Sequence, residues 1–588
     1  MHPSNLSVSG RMWRLVEPDL RLTLALSQRF GVPEVVGRLL ANRGLTLDTA
    51  EAFLNPALRT SLPNPFHLKD MDVAVSRILD AIQKGEAICI FGDYDVDGAT
   101  SSALLVRYLK TLGAKVNFYI PDRLKEGYGP NGPALQQLAA QGVRLVICVD
   151  SGTTAFEALD VAAAIGLDVI VVDHHVAEPK LPSCVALINP NRLDQESPCQ
   201  HLAAVGICFL LAVALRGAAR AAGVGDPHFD LFSLLDLVAL GTVCDVMPLT
   251  GLNRAFVSQG LKVLAKRQNV GLRALSDVAS IDEAPTAYHL GFLLGPRINA
   301  GGRIGCARLG AELLTTEDPH LARSIAERLN ALNSERQAME LQVVEEAMQQ
   351  AEQSSAEAVV VAGQGWHPGV IGVVAGRLKE QLHRPVIVIG LDEQGMGKGS
   401  GRSVPGVDLG ALIIAARQQG LLLAGGGHPM AGGLTIAAEQ IKPFRLYVQE
   451  RIAAQNMDLT PVYKVDGLLS GRAAGRDLCL SLQKLAPFGQ GNPSPRFAIS
   501  DVRVSRATIV GNGHVKATLS HADGTYLDGI AFRAADTPLG ETLLAPTLNR
   551  NLTLAGSIKL DTWGGKERVQ LLIDDVHLNF SSVMSYVA

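Results

Sequence analysis

Short β-rich runs alternate with helical segments of about 10 to 15 residues from Glu86 onward, which is the pattern of an α/β domain. The run AICIF is followed by the helical segment TSSALLVRYLKTLGA, and the same order returns in VRLVICV, AFEALDVAAAIG and DVIVV. Strands that alternate with helices are joined by right-handed crossovers and pair in parallel. We therefore predict an α/β fold built on a parallel sheet for this region.

The chain is long enough to require several domains, because its 588 residues exceed the roughly 250 to 300 at which one core stops growing. Apolar residues at helical spacing, with no Gly or Pro after an opening Asp-Pro, predict one helix of about 34 residues after residue 317. A smaller α/β pattern follows, and short alternating runs beyond Tyr463 predict an all-β domain of the OB-fold type. The predicted segments are a helical extension over 1–75, an α/β domain over 76–316, a connecting helix over 317–354, a second α/β domain over 355–456 and the β domain over 457–588.

Net charge, hydropathy and cysteine spacing limit the kinds of binding site and location that we expect for this protein. The formal net charge of −4 provides no global attraction to nucleic acid, so any DNA binding must use local basic patches. The longest apolar stretch, Ala203 to Leu215, is shorter than the about 20 residues of a spanning helix and is predicted to be a buried helix. The scattered cysteines form no C-x-x-C pair. We expect a cytoplasmic monomer with no membrane association.

Three carboxylates follow the first predicted strand in the loop FGDYDVDG. Asp93, Asp95 and Asp97 repel one another unless cations neutralise them, and hard oxygen ligands suit Mg²⁺ or Mn²⁺. An EF-hand loop is the alternative, but the glutamate at its twelfth position is missing. The loop also follows the carboxyl end of a parallel strand, where α/β proteins place their ligand sites.

The same placement recurs along the chain. Asp150 ends VRLVICVD, the residues Asp173, His174 and His175 end DVIVVDHH, and Asp245 ends the apolar segment LLDLVALGTVCD. Each alone is more typical of a helix cap or a turn. Together, at one edge of one sheet, they predict a mixed oxygen and nitrogen site for two divalent cations, and hence hydrolysis of a phosphate ester or anhydride.

These segments resemble a known family. FGDYDVDGATS, VICVDSGT, VVDHH and GTVCDVMPL are similar to the four successive motifs of the DHH phosphoesterases. GPRINAGGRIG, WHPGVIGVVAGRL, GKGSGRS and GGGHPMAGG resemble the RecJ branch of that family and its DHHA1 domain, and LAPFGQGNPSPRF resembles the linker to its OB domain. The resemblance covers about residues 50 to 580.

The resemblance implies roles for individual residues. Two Mn²⁺ or Mg²⁺ ions would be ligated by Asp95, Asp97, Asp150, His174 and Asp245, with Asp150 bridging them. His175 would face the scissile phosphate or complete the metal shell, and Asp93 would support the site from its edge. The DNA 5′ end and its phosphates would be held by Arg123, Arg297, Ser400 and Arg402, with His428 near the same cleft. From spacing alone, an Arg beside Gly is equally typical of a solvated surface.

The expected activity follows from the same resemblance. It implies a single-stranded-DNA-specific 5′-to-3′ exonuclease that releases 5′-mononucleotides in DNA recombination and repair, with single-stranded-DNA-binding protein and a helicase as expected partners. One alternative is a short-oligonucleotide or cyclic-dinucleotide phosphodiesterase, which would not need the β domain. The other is a non-catalytic DNA-binding scaffold, which predicts broken metal motifs, whereas every expected ligand is present here.

Overall fold

The computed structural model describes residues 6–123, 125–354, 356–521, 524–545, 551–561, 567–578 and 580. The chain forms two compact units. One comprises Met1–Pro56, Asp458–Phe488 and Asn492–Ala588, and the other comprises Ala57–Met457 with Gly489–Gly491.

The N-terminal elements are short and clearly delimited. Asp19 accepts a hydrogen bond from the Arg21 backbone N–H (2.8 Å) at the start of the first helix, and Gly31 ends that helix in the left-handed conformation. The elements are β1 (Met12–Leu15), α1 (Leu20–Phe30), α2 (Glu34–Asn42), α3 (Ala50–Leu54) and α4 (Leu58–Ser61).

The first α/β domain contains a five-stranded, all-parallel sheet, as predicted. Its elements are α5 (Met71–Lys84), β2 (Ala87–Phe91), α6 (Val96–Thr111), β3 (Lys115–Tyr119), α7 (Gly132–Ala140), β4 (Val143–Val149), α8 (Phe156–Ala164), β5 (Asp168–Val172) and β6 (Ala186–Ile188). The strand order is β3-β2-β4-β5-β6. Successive strand residues enter different cores: Ile88 and Ile90 pack with α5 and α6, whereas Cys89 and Phe91 pack with α7 and α8. The sheet is therefore covered on both faces, and ligands can reach it only at its edges.

A helical section follows the sheet. It consists of α9 (Ala204–Ala221), α10 (Leu235–Cys244), α11 (Gly251–Ala265), α12 (Val270–Val278), a π-helical segment (His289–Leu294), α13 (Gly295–Ile304), α14 (Arg308–Thr315) and α15 (Pro319–Glu352). α15 has 34 residues, which confirms the predicted long helix. By length and composition alone α9 could cross a membrane, but 67% of it is buried and it packs against α5, α6 and α10. It is the buried helix expected for residues 203–215.

The second α/β domain has a mixed sheet in the order β10-β11-β9-β8-β7. Its elements are β7 (Val359–Gln364), α16 (Pro368–Leu382), β8 (Val386–Leu391), β9 (Met396–Arg402), α17 (Leu409–Gln418), β10 (Ala424–His428), β11 (Ala431–Ala437) and α18 (Ile441–Ala453). Only β7 and β8 pair in parallel in this sheet. A Cβ at Gly399 would lie 2.6 Å from Leu434 Cδ1, so the glycines of β9 let its neighbours pack tightly.

The C-terminal elements build a closed barrel. They are β12 (Val462–Val465), β13 (Gly467–Leu469), α19 (Arg476–Gln483), β14 (Phe497–Val510), β15 (His514–His521), β16 (Tyr526–Ala531), α20 (Pro538–Leu544), β17 (Leu552–Asp561) and β18 (Arg568–His577). The order β14-β15-β16-β18-β17 closes because β17 also pairs with β14. Five strands in this closed order form the predicted OB-type barrel.

The N-terminal segment packs on this barrel, which no sequence pattern indicated. β1 pairs in parallel with β12, so that Met12 lies opposite Val462. Leu26 and Leu39 share a core with Phe497, and Trp13 donates a hydrogen bond from Nε1 to Asp575 Oδ2 (2.9 Å). Residues 6–56 therefore belong structurally with the barrel.

Candidate metal centre

The loop between β2 and α6 carries Asp93, Asp95 and Asp97 and folds tightly. Asp95 caps α6, since its Oδ1 accepts hydrogen bonds from the backbone N–H groups of Asp97 (2.9 Å) and Gly98 (3.1 Å). A Cβ at Gly98 would lie 2.5 Å from the Asp93 backbone. Only glycine therefore allows the helix to begin so close to the strand end.

The Asp97 carboxylate is buried and bonded to a second helix. Its Oδ2 accepts a hydrogen bond from Ala204 N (2.7 Å) and its Oδ1 from Val205 N (3.0 Å), which are the first residues of α9. The free N–H groups at a helix N-terminus stabilise a negative charge there. Asp97 thus joins α6 to α9 beneath the cluster.

Asp150 follows β4 in a left-handed conformation with φ of 61°. Its backbone N–H still donates to Val172 O (3.1 Å), so the chain turns immediately after the last ladder bond. Non-glycine residues in this conformation are uncommon and tend to occur at functional sites. The Asp150 side chain is buried.

His174 brings the remaining carboxylates together. Its Nε2 lies 3.3 Å from Asp150 Oδ1, 3.6 Å from Asp245 Oδ2 and 3.9 Å from Asp97 Oδ2. Burial lowers the pKa of His174 to about 4, so at neutral pH its ring is uncharged and has a lone pair for a metal. Asp245 reaches the group from the end of helix α10 rather than from a strand.

The cluster has too much negative charge for its surroundings. Burial, followed by the charges of neighbouring carboxylates, raises the pKa values of Asp93, Asp97, Asp150 and Asp245. Two buried oxygens, Asp93 Oδ1 and Asp245 Oδ2, have no hydrogen-bond partner among the described residues. Open carboxylate oxygens and a neutral imidazole are the donor set that divalent cations require.

Ligand atoms within 4.8 Å of one another form three groups. They are Asp93, Asp95 and Asp150; Asp97, His174 and Asp245; and Asp150, His174 and His175. The first two groups share no residue. Asp150, a member of the first group, also contacts His174 of the second group. The residues therefore fit two cations with Asp150 between them.

Asp173 orients His175 from below. Its buried carboxylate accepts hydrogen bonds from the N–H groups of Thr153 (3.0 Å) and His174 (2.8 Å) and contacts His175 Nδ1 at 2.7 Å. Burial alone would raise the pKa of Asp173, but the bonds from His175 and Thr153 outweigh it and keep the pKa well below its usual range. The sequence marked Asp173 as a strand-end residue without assigning it this positioning contact.

The second α/β domain brings together three of the predicted phosphate-binding residues. Arg402 Nη1 donates to Ser400 Oγ (3.1 Å), and a Cβ at Gly372 of α16 would lie 3.1 Å from that hydroxyl oxygen. Strand register places His428, Ala431 and Arg402 in one row across β10, β11 and β9. Ser400 and Arg402 thus lie over the first turns of α16, with His428 on the same row.

Arg123 and Arg297 lie in different surroundings. The Arg123 guanidinium lies 5.0 Å from the centre of the Tyr94 ring, within the metal loop. Arg297 donates from Nε to Asn330 Oδ1 (3.0 Å), which holds α13 to α15, and from Nη1 to Leu293 O (2.7 Å) in the preceding π-helical segment.

Sequence reasoning missed Arg303, which connects the two domains. It donates from Nη1 to Gly369 O (3.1 Å) at the start of α16. Burial, followed by the positive charges of Arg123 and Arg336, lowers the pKa of Arg303, and the same residue senses the charges of Asp95 and Tyr94. Arg303 lies in the segment GPRINAGGRIG, whose resemblance to the family could have indicated it, but only Arg297 of that segment was assigned a role.

Comparisons with known proteins agree with this architecture. The DHH family N-terminal domain matches residues 87–242, the DHHA1 domain matches residues 355–454 and the RecJ OB domain matches residues 465–575.

Several relatives match over nearly the whole chain. The single-stranded-DNA-specific exonuclease RecJ of Bacillus subtilis is 35% identical over 96% of this chain and 71% of its own length. The RecJ of Dickeya dadantii is 36% identical over 92% of this chain and 96% of its own. The crystal structure of Thermus thermophilus RecJ with Mn²⁺ has a TM-score of 0.81 at 29% identity and covers 96% of this chain and 79% of that one. A structure of the Thermus protein with Mg²⁺ gives a TM-score of 0.74. With these domains and this identity over nearly its full length, the chain belongs to the RecJ family of DHH proteins.

Proposed function

We propose that this chain is a single-stranded-DNA-specific exonuclease that hydrolyses phosphodiester bonds with two divalent cations and degrades from the 5′ end. The observation that carries the proposal is the cluster of buried carboxylates around His174, in which Asp93 and Asp245 keep open oxygens beside a guanidinium-rich region. The carboxylates and His174 would bind cations, and the guanidinium groups would bind phosphate.

The cations would be Mn²⁺ or Mg²⁺, held by Asp95, Asp97, Asp150, His174 and Asp245, with Asp93 at the edge of the group. When bound, they supply an activated water and neutralise charge on the phosphate oxygens during in-line displacement. The support in this chain is the donor set itself, because a neutral histidine and clustered carboxylates match these ions.

His175 is assigned to the reacting phosphate or to the metal shell. Asp173 accepts the Nδ1 hydrogen bond, so His175 would face a ligand through Nε2, which lies 3.4 Å from the Tyr128 hydroxyl. Burial alone would lower the pKa of His175, but the hydrogen bond to Asp173 outweighs it and raises the pKa. The protonated ring therefore persists to higher pH than in a free histidine.

The second α/β domain would set the 5′-to-3′ direction of degradation. Ser400 and Arg402 would bind the terminal 5′ phosphate over α16, with Arg123 and His428 beside it, and Arg297 would act from α13. A planar guanidinium that donates several hydrogen bonds is suited to phosphate oxygens. A fixed distance between this anion site and the metal cluster would make the product a 5′-mononucleotide.

The cellular role is recombination and DNA repair, in which unwound strands must be shortened from one end. Single-stranded-DNA-binding protein and a helicase are the proposed protein partners, and we infer that the enzyme acts as a cytoplasmic monomer. The eight cysteines carry no disulfide, which fits a reducing compartment.

The testing experiment is digestion of a 3′-labelled single-stranded oligonucleotide, with its duplex form alongside, in Mn²⁺, in Mg²⁺ and in EDTA. Metal-dependent loss of 5′ nucleotides from the single strand alone is expected. Preference for dinucleotides or cyclic dinucleotides would replace the proposal with a short-substrate phosphodiesterase. Retained DNA binding with no cleavage under any condition would indicate a scaffold.

A further inference from the structure

Two large aromatic side chains lie exposed on the segment that precedes α13. Tyr288 is 60% exposed and Phe292 is 69% exposed. Their rings stack on each other, with centroids 5.1 Å apart and planes inclined by 23°. Aromatic side chains usually contribute to cores or to interfaces, because burying them is favourable. This pair contributes little to the core and instead presents a flat apolar surface to solvent.

The segment itself is unusual. Residues His289–Leu294 form a π-helix, a rare conformation that is frequent at functional sites. His289 is buried, and its ring nitrogens contact Thr286 (3.0 Å to the backbone N) and Glu283 (3.1 Å), so it stabilises the segment. The fold thus fixes the backbone around Tyr288 and Phe292, although both side chains are exposed to solvent.

This segment is attached to the helix that delivers a metal-site carboxylate. A Cβ at Gly291 would lie 3.3 Å from Val243 Cγ1, and Cys244 Sγ donates to Leu290 O (3.4 Å). Val243 and Cys244 form the last turn of α10, and Asp245 follows directly. The aromatic pair is therefore carried on the immediate neighbour of the metal cluster.

Two residues next to these contacts have chemistry that suits the same ligand. Val246, the residue after Asp245, is 64% exposed and adopts a left-handed conformation with φ of 58°. Arg297 Nη1 donates to Leu293 O (2.7 Å) and brings a cation to the end of the π-helical segment. An apolar pair on a segment that contacts the helix before Asp245 and ends beside a guanidinium suits a ligand with both flat apolar faces and phosphates.

We propose that Tyr288 and Phe292 form a base-stacking platform for single-stranded DNA beside the metal centre. This inference rests on the proposed nuclease function. Bases of a single strand offer open π faces to aromatic rings regardless of sequence. Bases in a duplex already stack on their neighbours, so the platform favours single strands. Tyr288 and Phe292 are thus positioning residues that hold the strand and take no part in the chemistry.

The test compares the wild-type protein with a Tyr288→Ala/Phe292→Ala double variant. The KM for a single-stranded oligonucleotide is expected to rise by about five- to 150-fold, while kcat stays within about twofold and calorimetric Mn²⁺ binding is unchanged. Tyr288→Phe should keep most of the wild-type KM, because the ring is retained. Phe232→Ala is the matched control, since Phe232 is 46% exposed and lies before α10, at the end away from Asp245.

A second measurement uses binding without cleavage. Oligonucleotides containing 2-aminopurine, titrated with protein in EDTA, report stacking as quenched fluorescence. The wild type should quench more strongly than the double variant, and Phe232→Ala should match the wild type. Equal quenching and equal KM in the double variant and the wild type would overturn the platform. If the wild type itself fails to degrade single strands, the nuclease proposal fails, and the binding experiment still decides whether the pair stacks on bases.

Discussion

The two α/β domains use their sheet edges in opposite ways. In the first, the parallel strands β2, β4 and β5 all end at one edge, and the loops there concentrate carboxylates whose pKa values burial raises. In the second, the mixed sheet places Ser400, Arg402 and His428 near one end of β9 and β10, where glycines keep the backbone close. One edge concentrates carboxylates and a neutral imidazole, and the other an arginine and a hydroxyl group. A phosphodiester held by metal ions would complete both.

The largest expected effect comes from removing the carboxylate between the two groups of ligands. Asp150→Asn should lower metal-dependent degradation of single strands by roughly a hundredfold to a thousandfold, because an amide cannot neutralise a cation. Asparagine tolerates the left-handed conformation, so the fold is retained. Nucleotide release and calorimetric Mn²⁺ binding measure the change.

The matched control is Asp168→Asn at the start of β5, the opposite edge of the same sheet. Asp168 pairs with Arg77 Nε at 2.7 Å and lies outside the cluster. The Asp168→Asn variant should degrade single strands as fast as the wild type. If Asp150→Asn keeps activity within tenfold of this control, the acidic edge is not the metal centre.

An intermediate effect is expected from Asp173→Asn. The amide can no longer act as a charged acceptor for His175 Nδ1, so the ring loses its orientation. Loss of such a supporting contact typically costs about 10- to 100-fold in activity or metal affinity. The kcat/KM for a single strand, measured across Mn²⁺ concentrations, reports it. Asp160→Asn, which removes only a contact to Ser183 (2.6 Å), is the control, and equal values for both variants would contradict the assigned role.

A smaller and more selective effect is expected at the basic edge. Arg402→Ala should raise the KM for 5′-phosphorylated single strands by about tenfold, since one charged hydrogen-bonding partner is lost. Oligonucleotides with a 5′ hydroxyl, and Mn²⁺ binding, should change little. Arg417→Ala, which removes an exposed contact to Gly425 (3.1 Å) in the same domain, should behave like the wild type. Equal loss on an activated small phosphodiester would argue against a role in 5′-end capture.

The smallest effect concerns a buried carboxylate outside the cluster, where burial outweighs a hydrogen bond from the Leu237 backbone N–H and the charge of Arg107. Burial raises the pKa of Asp236 to about 7 from an ordinary 3.8. Because the folded protein favours the protonated form, stability is lost as pH rises from about 4 to 7. Asp236→Asn cannot ionise, so it should be more stable than the wild type at pH 8 by roughly 1 to 4 kcal/mol and equal to it near pH 4.

Thermal unfolding at several pH values measures that difference. Glu345→Gln on the exposed side of α15 is the control and should follow the wild type at every pH. A pH-independent difference between Asp236→Asn and the wild type would show that this carboxyl group does not titrate as its burial requires.

Local periodicity was enough to predict much of the fold. The parallel sheet, the 34-residue helix, the second α/β domain and the barrel all depend on patterns within about 40 residues. The convergence of Asp95, Asp150 and His174 was equally predictable, because parallel strands deliver their following loops to the same edge.

Contacts between distant segments were beyond that reasoning. The bonds from Asp97 to the start of α9 and the approach of Asp245 from the end of α10 depend on how helices pack over the sheet. The position of Arg303 against Gly369 requires two domains to meet. Residue spacing predicts none of these contacts. Each joins elements that are far apart in the sequence, and the spacing does not determine how such elements pack.

The pairing of β1 with β12 has a consequence for synthesis. Met12 emerges from the ribosome early, whereas its partner Val462 follows only after most of the chain. At about 5 to 20 residues per second, the intervening chain takes roughly 20 to 90 s to make. During that interval Trp13, Leu26 and Leu39 lack the barrel that buries them. This segment therefore reaches its native contacts only after the barrel strands, more than 400 residues later in the chain, have been made.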